Sequence, residues 1–179
     1  RNRSCAARRS TRAFRPARAV TAMDLPKYAL FEHERRFLVD PARCPALDGA
    51  PVVRIEDLYI AATRLRLRRV TGAGAAPVFK LCRKYLSDDP VSAPITNLYL
   101  TAEEFAQFDV LPGHRIAKCR YRIDGLGLDV FEGRHAGLII AEIEAPTRAA
   151  VLAQTMPVWA AREVTGDPAF SGAELARTA

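Results

Sequence analysis

From residue 28 onward the chain alternates apolar and polar positions in short runs separated by turn-forming residues, the period-two signature of half-buried β-strands. Eight such runs are predicted: 28–39, 54–61, 62–70, 77–85, 95–101, 114–123, 127–132 and 138–145. Their separators are Pro41 to Pro51, Gly72-Ala73-Gly74, Ser87 to Pro94, Pro112-Gly113, Asp124-Gly125 and Gly133 to Gly137. No separator stands between the second and third runs. Helix signals are fewer. Thr101-Ala102-Glu103-Glu104 has the spacing of a capping box and predicts a short helix to about Asp109. Pro146 suits the first position of a helix over 146–155, and Ser171-Gly172-Ala173-Glu174 suggests a second capping box before a short C-terminal helix. Eight strands in one modest domain predict a mainly β, α+β architecture: an eight-stranded antiparallel barrel with a few flanking helices.

Charge changes the picture only once it is divided. The chain has 179 residues, 27 Lys plus Arg against 20 Asp plus Glu, and a net charge of +7. Residues 1–22 hold seven arginines and no acid, leaving 20 bases against 20 acids from Met23 onward. The basic excess belongs to the tail, so the body over 23–179 is not a general polyanion binder, and neither nucleic acid nor membrane is an expected partner. Three accounts of the tail stand open: a transit-like segment, a basic arm, or sequence upstream of a start at Met23, the last preferred. Each leaves residues 1–22 without a fold. No run of 18 apolar residues occurs, and Cys5, Cys44, Cys82 and Cys119 form no C-x-x-C pair, so a reducing, cytoplasmic setting is expected.

Side chains two apart share a strand face. On that basis Glu32, Glu34 and Arg36 line up, as do Arg64, Arg66 and Arg68; Lys80, Cys82 and Lys84; Lys118, Arg120 and Arg122; and Glu142 and Glu144. Such rows could be solvent faces of half-buried strands. Their sorting by sign argues for more, because like charges on neighbouring strands repel by a few tenths to about 1 kcal/mol per facing pair. In a closed barrel the charged face can be the lumen, which is polar where it holds a ligand. Carboxylates without His or Cys suit a hard cation, Mg²⁺ or Mn²⁺, and many bases beside such an ion suit a phosphate chain.

Glu32-His33-Glu34-Arg35-Arg36-Phe37-Leu38-Val39 resembles the ExExK signature that opens CYTH domains, the triphosphate tunnel metalloenzymes. The resemblance continues in order through Leu65-Arg66-Leu67-Arg68, Lys118-Cys119-Arg120-Tyr121, Asp129-Val130-Phe131-Glu132-Gly133, Ala141-Glu142-Ile143-Glu144 and Glu163-Val164-Thr165-Gly166-Asp167, covering about residues 28–170. It implies an eight-stranded tunnel barrel and metal-dependent hydrolysis of a small triphosphate: tripolyphosphate, thiamine triphosphate or a nucleoside triphosphate. It further implies that Glu32, Glu34, Glu142 and Glu144 hold Mg²⁺ or Mn²⁺ and carry catalysis. Arg36, Arg66, Arg68, Lys80, Lys84, Lys118 and Arg120 would then bind the phosphates. The protein would act as a monomer or homodimer.

Two departures separate the chain from that family pattern. Asn97 stands where the middle strand usually supplies an acid, which favours as an alternative a non-catalytic polyphosphate- or nucleotide-binding module. Pro26 and Lys27 stand where class IV adenylate cyclases carry His-Phe, which disfavours cyclisation. Arg36 replaces the signature Lys, keeping the charge with a different reach. Among the remaining residues, His33, His114 and His135 read as surface or turn histidines, Cys82 as small filler and Trp159 as packing against the barrel. Arg64 and Arg122 extend the basic rows toward a rim.

Overall fold

The computed structural model describes residues 26–179; the tail expected to lack a fold, residues 1–22, lies outside them. Nine strands follow in order: β1 Leu30–Val39, β2 Val52–Ile60, β3 Leu65–Gly72, β4 Val78–Lys84, β5 Ser92–Leu100, β6 Gly113–Ile123, β7 Leu126–Phe131, β8 Ile139–Ala145 and β9 Ala160–Glu163. Three helices accompany them, α1 Ala102–Asp109, α2 Arg148–Leu152 and α3 Gly172–Thr178. The sheet order is β5-β4-β3-β2-β6-β7-β8-β1-β9, and β5 also pairs with β1. Eight antiparallel strands therefore close a barrel.

β9 was not predicted from its sequence. Phe37 pairs with Ala141 of β8 on one edge and with Glu163 of β9 on the other. β5 leaves that second edge after His33, so β9 continues where β5 stops. Four residues without alternation carry no strand signal of their own; the free edge of β1 supplies the pairing.

Turn chemistry explains the hairpins. Asp124 (φ 51°) and Gly125 (φ 82°) form a two-residue loop between Ile123 and Leu126, which pair with each other. Positive φ at both positions matches the right-handed strand twist, the reason Asp-Gly is favoured there. The β2–β3 turn, Ala61 to Arg64, lacks such residues and separates two runs that read as contiguous. Ala62 adopts φ 56°, and the Thr63 hydroxyl donates to Ile60 O at 2.9 Å and accepts from Leu65 N at 3.0 Å. A local side-chain turn thus replaces the usual glycine.

The Thr101–Glu104 capping box is present in full. The expected helix over 146–155 shortens to α2, with Thr147 as its N-cap and Pro146 before the cap instead of inside the first turn. At α3 the Ser171 hydroxyl accepts from Glu174 N, but the Glu174 carboxylate turns to Arg177, so only half of the second box forms.

The apolar mass lies largely outside the barrel. Phe37, Val39, Leu128, Ala141 and Ile143 point outward from β1, β7 and β8 and are covered by Val151 of α2, Ala160 of β9 and Trp159. Leu58, Ile60 and Leu67 are covered by Phe105 and Phe108 of α1. Inside, Ile116, Phe131 and Ile140 meet Leu175 and Ala176 of α3, which closes that part of the lumen. Two apolar layers thus cover the outer wall, and the charged rows are left to the lumen.

Candidate functional site

The lumen encloses a cavity of about 950 Å³. Alternation delivers the charged rows to it: Glu32, Glu34 and Arg36 from β1, Asp57 and Tyr59 from β2, Arg66 and Arg68 from β3, Lys84 from β4, Lys118 and Arg120 from β6, and Glu142 and Glu144 from β8. Ten of the eleven predicted site residues therefore meet in one cavity. Lys80 does not: its ammonium lies over the Tyr99 ring at 5.2 Å, outside the lining. β4 and β5 run past the barrel at that end, carrying Lys80 with them, because β1 pairs with β5 only as far as Ile95. Arg64 and His114 do line the cavity, whereas Arg122 is exposed and outside it.

Two buried aspartates organise the bases. Asp57 sits opposite Arg68 in the β2–β3 register and accepts from its Nε and Nη2, both at 2.7 Å, with Arg66 Nε at 3.9 Å. Burial alone would push the Asp57 carboxyl up; Arg68 and Arg66 outweigh it and hold it below its ordinary value. Asp129, fully buried, occupies the same relation to Arg120 in the β6–β7 register. It accepts from Arg120 Nε at 2.6 Å and Nη2 at 2.7 Å and pairs with Lys118 Nζ. Each aspartate thus clamps a base-x-base pair from the neighbouring strand. The sequence marks Asp129 as a lone acid in an apolar strand, a position that demands a partner. Asp57 was not singled out, because Glu56 beside it points the other way and only pairing tells the two acids apart.

Glu142 departs from the expected ligand set. Its carboxylate is buried between Arg36 (3.3 Å), Lys118 (3.9 Å) and Arg120, so it balances the bases instead of standing free for a metal. Burial opposes its ionisation, but Lys118, Arg120 and Arg36 drive it well below the usual carboxylate range. Arg36 also donates to Phe170 O at 2.6 Å, and its backbone N–H donates to Thr165 Oγ1 at 2.9 Å, fixing the 164–170 segment across the lumen.

The remaining acids collect at one side. Glu34 faces Glu144 directly in the β1–β8 register, and Glu32 shares their face. Burial, then Glu142, Glu32 and Glu34, raise the Glu144 carboxyl against the pull of Arg120. Lys84 Nζ reaches into this group, 2.6 Å from Glu34 Oε1 and 3.1 Å from Glu32 Oε2. Among the described residues no three acidic, histidine or cysteine side chains converge closely enough to form a ready cation cage. The donor chemistry nonetheless fits a hard cation: three carboxylates from adjacent strands, one facing pair of like charge, and a cation already drawn in.

The lumen is close to neutral. Arg36, Arg66, Arg68, Lys84, Lys118 and Arg120 stand against Glu32, Glu34, Asp57, Asp129, Glu142 and Glu144. Arg66 Nε has no hydrogen-bond partner although buried, which leaves a donor ready for an anion. Asn97 is exposed, and its Oδ1 accepts from the Cys82 thiol at 2.7 Å; the position gives the cavity no carboxylate. Cys82 is buried on the lumen wall, and Cys44, Cys82 and Cys119 are all free. His33 stacks on Phe31, and His135 Nε2 meets Leu175 O at 2.8 Å, which ties down α3.

No protein-family model matches the chain. An inorganic triphosphatase of Acetivibrio thermocellus is 42% identical over 66 residues, which is 35% of this chain and 41% of that protein. The match thus spans less than half of the curated relative's length. Two solved structures of NE1496, one described as an inorganic triphosphatase and the other as a hypothetical protein, superpose with TM-scores of 0.50 and 0.51 at 25% identity. Both cover 81% of this chain, and it covers 93% and 97% of theirs. No helix among the described residues is long and apolar enough to cross a membrane. A closed eight-stranded antiparallel barrel, six collinear motifs along its strands and these likenesses give the chain the fold of the CYTH, or triphosphate tunnel, proteins.

Proposed function

We propose that the protein hydrolyses the terminal phosphoanhydride of a small triphosphate, tripolyphosphate first, with thiamine triphosphate and nucleoside triphosphates as further candidates. The observation that carries this is the lumen itself, where bases from β1, β3, β4 and β6 surround a cavity of about 950 Å³ with a carboxylate group on its wall. Arg36, Arg66, Arg68, Lys118 and Arg120 neutralise and orient the phosphate chain, the main protein contribution in phosphoryl transfer. Glu32, Glu34 and Glu144 would hold Mg²⁺ or Mn²⁺. Such an ion, when bound, supplies the positive charge that a near-neutral lumen lacks for a polyanion and polarises the phosphoryl oxygens. A water oxygen attacks the terminal phosphorus in line, and the bridging P–O bond breaks. The diphosphate portion departs with the bridging oxygen, the terminal phosphorus leaves as inorganic phosphate, and a carboxylate of the acidic group takes the water proton.

The three cysteines described as free suit a reducing, cytoplasmic compartment. The decisive assay measures phosphate released from tripolyphosphate, thiamine triphosphate and ATP with Mg²⁺, Mn²⁺ or EDTA. Chelator-sensitive release that Glu34→Gln abolishes, with the fold intact by circular dichroism, is the expected outcome. Retained metal-dependent release in that variant counts against the assignment. The preassembled ion pairs and the exposed Asn97 favour one other reading, a binding module without turnover. Absence of release together with a melting temperature raised by tripolyphosphate selects it.

A further inference from the structure

We infer that Lys84 is a resident cation of the acidic group, displaced when a divalent ion binds and handed to the phosphate chain. The inference rests on the hydrolase reading above and adds a coupling between its two ligands. Lys84 differs from the other lumen bases in how it is held. Arg68, Lys118 and Arg120 are fixed by aspartates that are 5% and 0% exposed. Lys84 instead ends β4, keeps 46% of its side chain exposed and, among the described residues, makes its ion pairs with Glu32 and Glu34, themselves open to the cavity.

Its ammonium lies against two of the oxygens that a metal would take. One monovalent charge cannot share those carboxylates with a divalent ion without strong repulsion, and the flexible four-carbon stem lets the ammonium swing away. The nearest unmet negative charge in a loaded lumen is then the substrate. Metal and phosphate binding are accordingly linked: the ion releases a base, and the base binds the anion. By reciprocity the anion, by holding the Lys84 that the ion has released, strengthens metal binding by the same factor.

The test separates this coupling from the hydrolase reading by measuring binding alone. Free Mn²⁺ is titrated by electron paramagnetic resonance in phosphate-free buffer against wild type, Lys84→Met and Lys80→Met. Lys84→Met is expected to bind Mn²⁺ about tenfold more tightly, within the range of ordinary coupling energies, while Lys80→Met is unchanged. A methylene-bridged triphosphate, with EDTA, is expected to bind wild type and Lys84→Met equally; with Mn²⁺ the variant binds it more weakly. Wild type that binds Mn²⁺ with an affinity unaltered or weakened in Lys84→Met overturns the coupling and leaves the hydrolase reading standing. Failure of both proteins to bind millimolar Mn²⁺ removes the metal role of the acids and the coupling with it.

Discussion

Asp129→Asn isolates what the buried clamps contribute. The substitution keeps shape and volume but removes a charge that is 0% exposed and that accepts from both Arg120 and Lys118. Taking one partner from a buried ion pair costs about 3–5 kcal/mol, because the remaining charge is stranded. Glu142 still faces both bases, and an amide oxygen still accepts one hydrogen bond, so the low end, about 3 kcal/mol, applies. In a chain of this size that is a fall of roughly 6–12 °C in melting temperature, at about 2–4 °C per kcal/mol. Urea unfolding followed by circular dichroism gives the free energy, and a thermal scan gives the shift. Glu163→Gln is the matched comparison: it removes a carboxylate from a bidentate pair with Arg35, at 2.7 and 2.9 Å, but at a site where Glu163 is 38% exposed. Its expected cost is about 1 kcal/mol or less, since the pair lies where solvent reaches the Glu163 side and Arg35 keeps its hydrogen bond to Gln154 O. Equal losses in the two variants, or a loss below about 1 kcal/mol for Asp129→Asn, would refute the reasoning that burial makes Asp129 a clamp.

Asp57 predicts an acid limb. Its carboxyl sits below the unfolded value of about 3.9, so its stabilisation is complete above that value and disappears as pH falls through the lower folded value. The penalty of Asp57→Asn should hold steady from about pH 7 to 5 and shrink below about pH 4; a penalty constant to pH 3 sinks the assignment. Arg66→Ala should raise KM for tripolyphosphate with the fold retained, since its Nε is buried without a partner; an unchanged KM removes it from the site. At Gly172 a Cβ would overlap the Tyr59 hydroxyl. Gly172→Ala should therefore destabilise by about 1–3 kcal/mol, and adding Tyr59→Phe should recover part of the loss; additive effects would mean that the two do not meet.

Eight strands, the capping box of α1 and the Asp124-Gly125 hairpin were legible in the sequence because each depends on neighbours two to four residues away. Strict alternation also determined which side chains share a face, so ten of eleven candidate site residues could be grouped before any pairing was known. Pairing and curvature decided the rest. β9 exists because β1 has a vacant edge, and Lys80 leaves the site because β4 and β5 outrun the barrel. Asp57 becomes a clamp because register sets it opposite Arg68, and Glu142 becomes a counter-ion because two other strands, β1 and β6, bring Arg36, Lys118 and Arg120 around it. Period two tells a residue its face. Which opposite charge waits there depends on register between strands distant in sequence, and that is a property of the closed barrel alone.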